Sequence, residues 1–117
     1  MNVVVNGIVI KFEIDTGAAL TCISEKLFNH FFALELSKFD RNLNVLTGPV
    51  HVVGKCLVNV NDLQNKNKLH LLELVVIRTE KDFAPLLGRN WIDILFMGWR
   101  TTFIHSLISN FDKDNFL

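Results

Sequence analysis

The chain has 117 residues, half of them hydrophobic, and its 12 basic side chains balance 12 acidic ones. That length suits one compact domain and excludes a two-lobed enzyme of several hundred residues. Neutrality, with a pI near 6.9, argues against nucleic acid as a ligand, because phosphate binding wants a basic surplus. The mean hydropathy of +0.30 is high, yet no apolar run approaches the ~18 residues of a membrane span. The excess is therefore expected at a subunit interface or in an apolar cleft. The first residues lack the charged region and small-residue cleavage site of a secretory signal. Cys22 and Cys56, with no CxxC partner, read as buried free thiols in a reducing, cytoplasmic setting.

Taken in chain order, Val3–Val5 and the alternating Ile8, Ile10, Phe12 and Ile14 flank Asn6-Gly7. This dipeptide favours tight hairpins because both positions tolerate positive φ. The alternation predicts one face, Ile14 included, turned to the core. After Asp15-Thr16-Gly17 the apolar run resumes as a strand over Ala18–Ile23. A helix follows over Ser24–Leu34, with Ser24 as N-cap and Leu27/Phe31 and Phe28/Phe32 at helical spacing. Leu43–Leu46 and Val50–Val53 bracket a hairpin tip at Thr47-Gly48-Pro49, and Cys56, Val58 and Val60 alternate as a strand. Asn61–Lys68 is a polar loop, with Lys66 and Lys68 solvated. Leu69–Ile77, apolar on both faces except for Glu73, predicts a buried central strand. Arg78–Asp82 is a charged connection, Pro85–Gly88 a brief strand and Arg89–Leu95 a short helix. Trp91 and Trp99 are expected core anchors. The folded core is expected over 1–108 of a single domain 1–117, with 109–117 as a polar tail. The class this predicts is all-β with one or two short helices.

The chemistry is concentrated in Phe12-Glu13-Ile14-Asp15-Thr16-Gly17-Ala18. A carboxylate placed directly after an apolar strand sits on a tight turn between hydrophobic walls. Gly17 lets another backbone come close, and the Thr16 hydroxyl can fix the turn. The tripeptide alone is equally readable as an Asx-type turn around a solvated Asp.

In its context this segment resembles the retropepsin family of aspartic proteases, and within it those encoded by Ty3/Gypsy-type LTR retrotransposons. The resemblance runs from about Val3 to Phe103. It rests on the Asp15 segment, on Leu46-Thr47-Gly48 followed by Val50-His51-Val52-Val53-Gly54, and on Pro85-Leu86-Leu87-Gly88-Arg89-Asn90-Trp91-Ile92. It implies a retropepsin-like closed β-barrel subunit, active as a homodimer, that contributes one Asp15 to an aspartic endopeptidase without cofactor or metal. Two carboxylates sharing a proton are what such chemistry needs, and one Asp-Thr-Gly per chain must be doubled by a second copy. Thr16 would brace its counterpart across the two-fold, Gly17 and Ala18 would face the bound peptide, and Leu46, Thr47, Gly48 and Pro49 would form the flap over it. Leu86, Leu87, Gly88 and Arg89 would support the active-site turn from beneath. Relatives often carry an aromatic at the position of Leu46. Retroviral members commonly carry Asp where this chain has Ala19, so Arg89 is expected to pair with Asp93 or to bond backbone carbonyls. Interleaved terminal strands build the dimer in this family. With so few residues ahead of the first hairpin, the tail Ser109–Leu117 is expected to supply part of that interface or to act as a linker.

The expected substrate is an extended stretch of a retroelement polyprotein, processed in the cytoplasm or within retroelement particles, with no nucleic-acid or membrane partner. The alternative is a decayed or host-retained module of the same fold that dimerises or binds peptides without cutting. His30, His51, His70 and His105 have no metal-ligand spacing and read as surface or core histidines.

Overall fold

The computed structural model describes residues 1–39, 44–45 and 48–96. Strands β1 (Asn2–Val5) and β2 (Ile8–Lys11) form the expected hairpin. Asn6 and Gly7 both take positive φ, 48° and 79°, so the turn twists with the strands it joins. Next come β3 (Glu13–Ile14), β4 (Cys22–Ser24), helix α1 (Glu25–Phe31) and the short pair β5 (Asn44–Val45) and β6 (Gly48–Pro49). The long strands β7 (His51–Asn61) and β8 (Leu69–Arg78) follow, then β9 (Leu86–Leu87) and helix α2 (Arg89–Leu95).

Seven strands share one sheet in the order β2-β1-β7-β8-β4-β9-β3. The first and last strands of that order are two parts of the single run Ile8–Ile14, separated only by Phe12. The sheet therefore curls back on itself into a nearly closed barrel. Phe12 is 1% exposed at this joint, and its ring lies 5.5 Å from that of Trp91. Trp91, itself fully buried, donates its indole N–H to the Glu73 carbonyl at 2.7 Å. The core around them is filled from β1, β4, α1, β7, β8 and α2 by Val3, Val5, Ile23, Phe28, Val58, Val60, Leu74, Val76 and Ile92.

Several expectations are corrected. The strand over Ala18–Ile23 reduces to Cys22–Ser24, because the carbonyls of Ala18 and Ala19 accept from the N–H groups of Arg89 and Asn90 instead of from a sheet neighbour. The helix is shorter than Ser24–Leu34 and closes at Phe31, although Ser24 caps it as expected, its Oγ accepting from Leu27 N at 3.2 Å. Ile14 is 53% exposed, not in the core, because β3 lies at the end of the sheet order beyond the packed interior. Leu69–Ile77 is buried on both faces only from Leu74 onward. Leu71 is 62% exposed because the outer face of the β7–β8 ribbon has no layer over it among the described residues. In the 43–53 hairpin, Gly48 and Pro49 belong to the returning arm, paired with Val45 and Asn44. Leu46 and Thr47 of the expected tip, Trp99, His105 and residues 97–117 lie outside the described residues.

Candidate active site

The turn that carries Asp15 is built from both sides of the chain. Strand β3 pairs in parallel with β9, Glu13 opposite Leu86 and Ile14 opposite Leu87. Glu13 N donates to Pro85 O at 2.8 Å and Asp15 N to Leu87 O at 3.0 Å. At Asp15 the chain leaves the sheet. Its Oδ1 accepts from Gly17 N at 3.0 Å, and Ala18 N closes back on its carbonyl at 3.1 Å. The Asx turn is thus present, and it fixes one carboxylate oxygen with a backbone donor. Asp15 is partly buried, whereas Thr16 and Gly17 are exposed.

Helix α2 starts directly behind this turn. Helix N-termini leave backbone N–H groups without intrahelical partners, and here the site loop accepts from two of them and the Asn90 side chain from a third. Arg89 N donates to Ala18 O at 2.8 Å, Asn90 N to Ala19 O at 3.1 Å, and Trp91 N to the Asn90 side-chain oxygen at 2.9 Å. Arg89 reaches further, its Nη1 donating to Thr16 O at 2.8 Å. The guanidinium therefore bonds a backbone carbonyl of the turn, one of the two arrangements anticipated for it.

A buried network joins the two elements. Thr21, fully buried, donates both its N–H and its Oγ1–H to Asn90 Oδ1 at 2.9 Å, while Oγ1 accepts from Gly88 N at 2.9 Å. Gly88 packs so closely that a Cβ there would stand 2.4 Å from the Leu20 carbonyl carbon and oxygen. Leu87 is fully buried and Leu86 half-buried. The structure thus brings Asp15, Thr16, Gly17 and Ala18 together with Leu86, Leu87, Gly88 and Arg89. Leu46 and Thr47 lie outside the described residues, and Gly48 and Pro49 are placed in β6. Thr21 escapes sequence reading: a lone threonine among apolar residues carries no local signal, and its partner Asn90 is 69 positions away.

Above the turn lies a second apolar cluster of Cys22, Val75 and Ile77, with Leu20, Phe39, Val50, Val52, Phe83 and Leu86 packed against it. Burial, reinforced by the Asp15 charge, pushes the Cys22 thiol up to about 11 despite an opposing backbone hydrogen bond from Leu86. The thiol therefore stays protonated and unreactive near neutrality. Cys56 is likewise free, buried and raised by that burial. Among the described residues no three His, Cys, Asp or Glu side chains group as a metal site, and no helix is long and apolar enough to cross a membrane. His70 engages Asp62 at 2.8 Å in the β7–β8 loop, and His30 stacks edge-on against Phe31.

A family model described as "Aspartyl protease" matches residues 1–91. Among solved structures the chain is similar to EIAV protease complexed with the inhibitor HBY-793, with a TM-score of 0.67 and 17% identity over 82% of this chain and 86% of that one. It is also similar to the retroviral protease-like domain of Ddi1 from Leishmania major, with a TM-score of 0.58 and 15% identity over 79% and 72% of the two chains. At these identities the likeness is one of fold, and it is the retropepsin fold. No curated protein sequence matches.

Proposed function

The chain belongs to the aspartyl protease family, and on that premise we propose that it is an endopeptidase whose active site forms where two copies bring their Asp15 carboxylates together. The observation that carries this reading is Asp15 itself. It is held at a strand end by β9 and α2, with Oδ1 tied to Gly17 N and no further side-chain bond to any described residue.

Two such carboxylates about 3 Å apart cannot both ionise. The ionised member takes a proton from a water as that water attacks the scissile carbonyl, and the protonated member donates to the carbonyl oxygen. The pair titrates as a unit. The Thr16 side chain is exposed and makes no hydrogen bond with any described residue, which supports a bracing role across the two-fold. The β5–β6 pair supports a flap that covers an extended peptide, and the polyprotein of a Ty3/Gypsy-type retroelement, processed in the cytoplasm or in particles, is the substrate we favour.

The test is incubation with a peptide library, with and without a statine inhibitor. Cleavage blocked by statine and lost in Asp15→Asn, with the fold unchanged by circular dichroism, is the expected result. Equal cleavage by Asp15→Asn refutes the mechanism. Because this fold also occurs in Ddi1, a second reading is a non-cutting dimerisation or peptide-binding module. It would be supported by a chain that binds the peptides or dimerises but cuts none of them at mildly acidic pH.

A further inference from the structure

Side chains alternate faces along a strand, so residues two apart stand on the same face about 7 Å from each other. Glu13 and Asp15 are such a pair. Between and before them, Ile14 and the buried Phe12 take the opposite face. The neighbour of Glu13 in the parallel ladder is Leu86, which is also the antiparallel partner of Cys22. Leu86 and Cys22 both belong to the apolar cluster above the Asp15 turn. Asp15 N is bonded to the carbonyl of Leu87, the residue after Leu86, so this cluster lies beside the Asp15 turn. Glu13 therefore stands on the site side of β3, next to the apolar wall and one alternation from Asp15.

Glu13 is not spent on structure. It is exposed, and it makes no ion pair or side-chain hydrogen bond with any described residue. Arg89, at the start of α2, is turned onto Thr16 O. An extended peptide lying over Asp15 also alternates its side chains at about 7 Å. The residue beside the cleaved bond thus sends its side chain over the position of Glu13. An apolar stem would lie on Leu86 and the cluster behind it, and a terminal positive charge would meet the Glu13 carboxylate. This is the way a lysine or arginine side chain distributes its aliphatic and charged parts.

We propose that Glu13 makes this site prefer lysine or arginine at a residue flanking the scissile bond. The inference rests on the proteolytic reading above. In a homodimer two Glu13 carboxylates flank the aspartates, one on each side, so the preference applies to either flank.

The experiment compares peptides that differ only in lysine against norleucine at that residue, which keeps the stem length and removes the charge. The parent is expected to show kcat/KM higher for lysine by roughly three- to tenfold, the range of a partly exposed charge-assisted pair. Glu13→Gln should bring the ratio to about one while cleavage of the norleucine peptide persists, and Glu13→Lys should favour a glutamate peptide instead. An unchanged ratio in Glu13→Gln overturns the proposal. The same comparison with statine peptides, read as binding, separates the two claims. Lysine-selective binding without cleavage upholds Glu13 and refutes the protease reading. Cleavage indifferent to lysine does the reverse, and neither binding nor cleavage refutes both.

Discussion

At the scale of single residues, the Asp15 turn is held by one local bond, Gly17 N to Asp15 Oδ1, and by contacts that cross most of the chain. Asp15-Thr16-Gly17 announces itself because a strand, a carboxylate and a turn glycine are adjacent in sequence. The Leu86–Arg89 block declared itself by resemblance, and the structure sets it against the Asp15 turn through the β3–β9 ladder. Thr21 and Asn90 could not be read, since the contact that gives them meaning crosses 69 positions. Their weight is testable. Thr21→Val keeps the shape but removes the acceptor of Gly88 N and a donor to Asn90, stranding a buried backbone N–H. It should cost about 1–3 kcal/mol in urea unfolding. Gly88→Ala should do more harm, because the new methyl would collide with the Leu20 backbone. Loss of cleavage should accompany loss of stability, as both variants shift the loop that carries Asp15.

At the scale of elements, local chemistry predicted well wherever it was also the final arbiter. The Asn6-Gly7 turn and the Ser24 cap formed as the sequence implied, and Ser24→Ala should cost about 1 kcal/mol, measurable by thermal melting. Local pattern failed where a distant element claimed the backbone. Ala18 and Ala19 read as strand, but they serve the first turn of α2. It failed again where apolar residues stay uncovered, as at Leu71.

The β7–β8 loop supplies a pH test. The hydrogen bond from His70, with backbone donors Asn65 and Gln64, holds the Asp62 carboxyl down at about 2, from an ordinary value of 3.8. A depressed carboxylate stabilises the fold above its unfolded value, and that contribution is lost as pH falls through the folded one. The loss is therefore expected between about pH 4 and pH 2. Asp62→Asn should lower Tm at pH 5 and show a shallower fall in Tm between pH 5 and pH 2.5 than the parent. Parallel curves would show that the Asp62 bonds contribute nothing to stability.

At the scale of the whole molecule, half-apolar composition reappears as surface. Val9, Leu57, Leu69 and Leu71 are each more than half exposed on strands β2, β7 and β8, and Ile14 is exposed one residue before the proposed catalytic group. An active site that needs two chains makes activity depend on association. Specific activity should therefore fall on dilution, and two copies joined by a flexible linker should resist that fall. Specific activity independent of concentration in the unlinked protein would count against a dimeric site.

The joint at Phe12 has a consequence for how this chain can vary. Because β2 and β3 are one run serving opposite ends of the sheet, their side chains share a single phase. Inserting one residue between Lys11 and Glu13 cannot satisfy both ends. If β2 holds, the carboxylate of Asp15 turns to the face that Ile14 now takes; if β3 holds, Ile10 rotates out to solvent. Length changes at this point are admissible only in even steps, so the barrel seam and the proposed catalytic aspartate are bound to vary together.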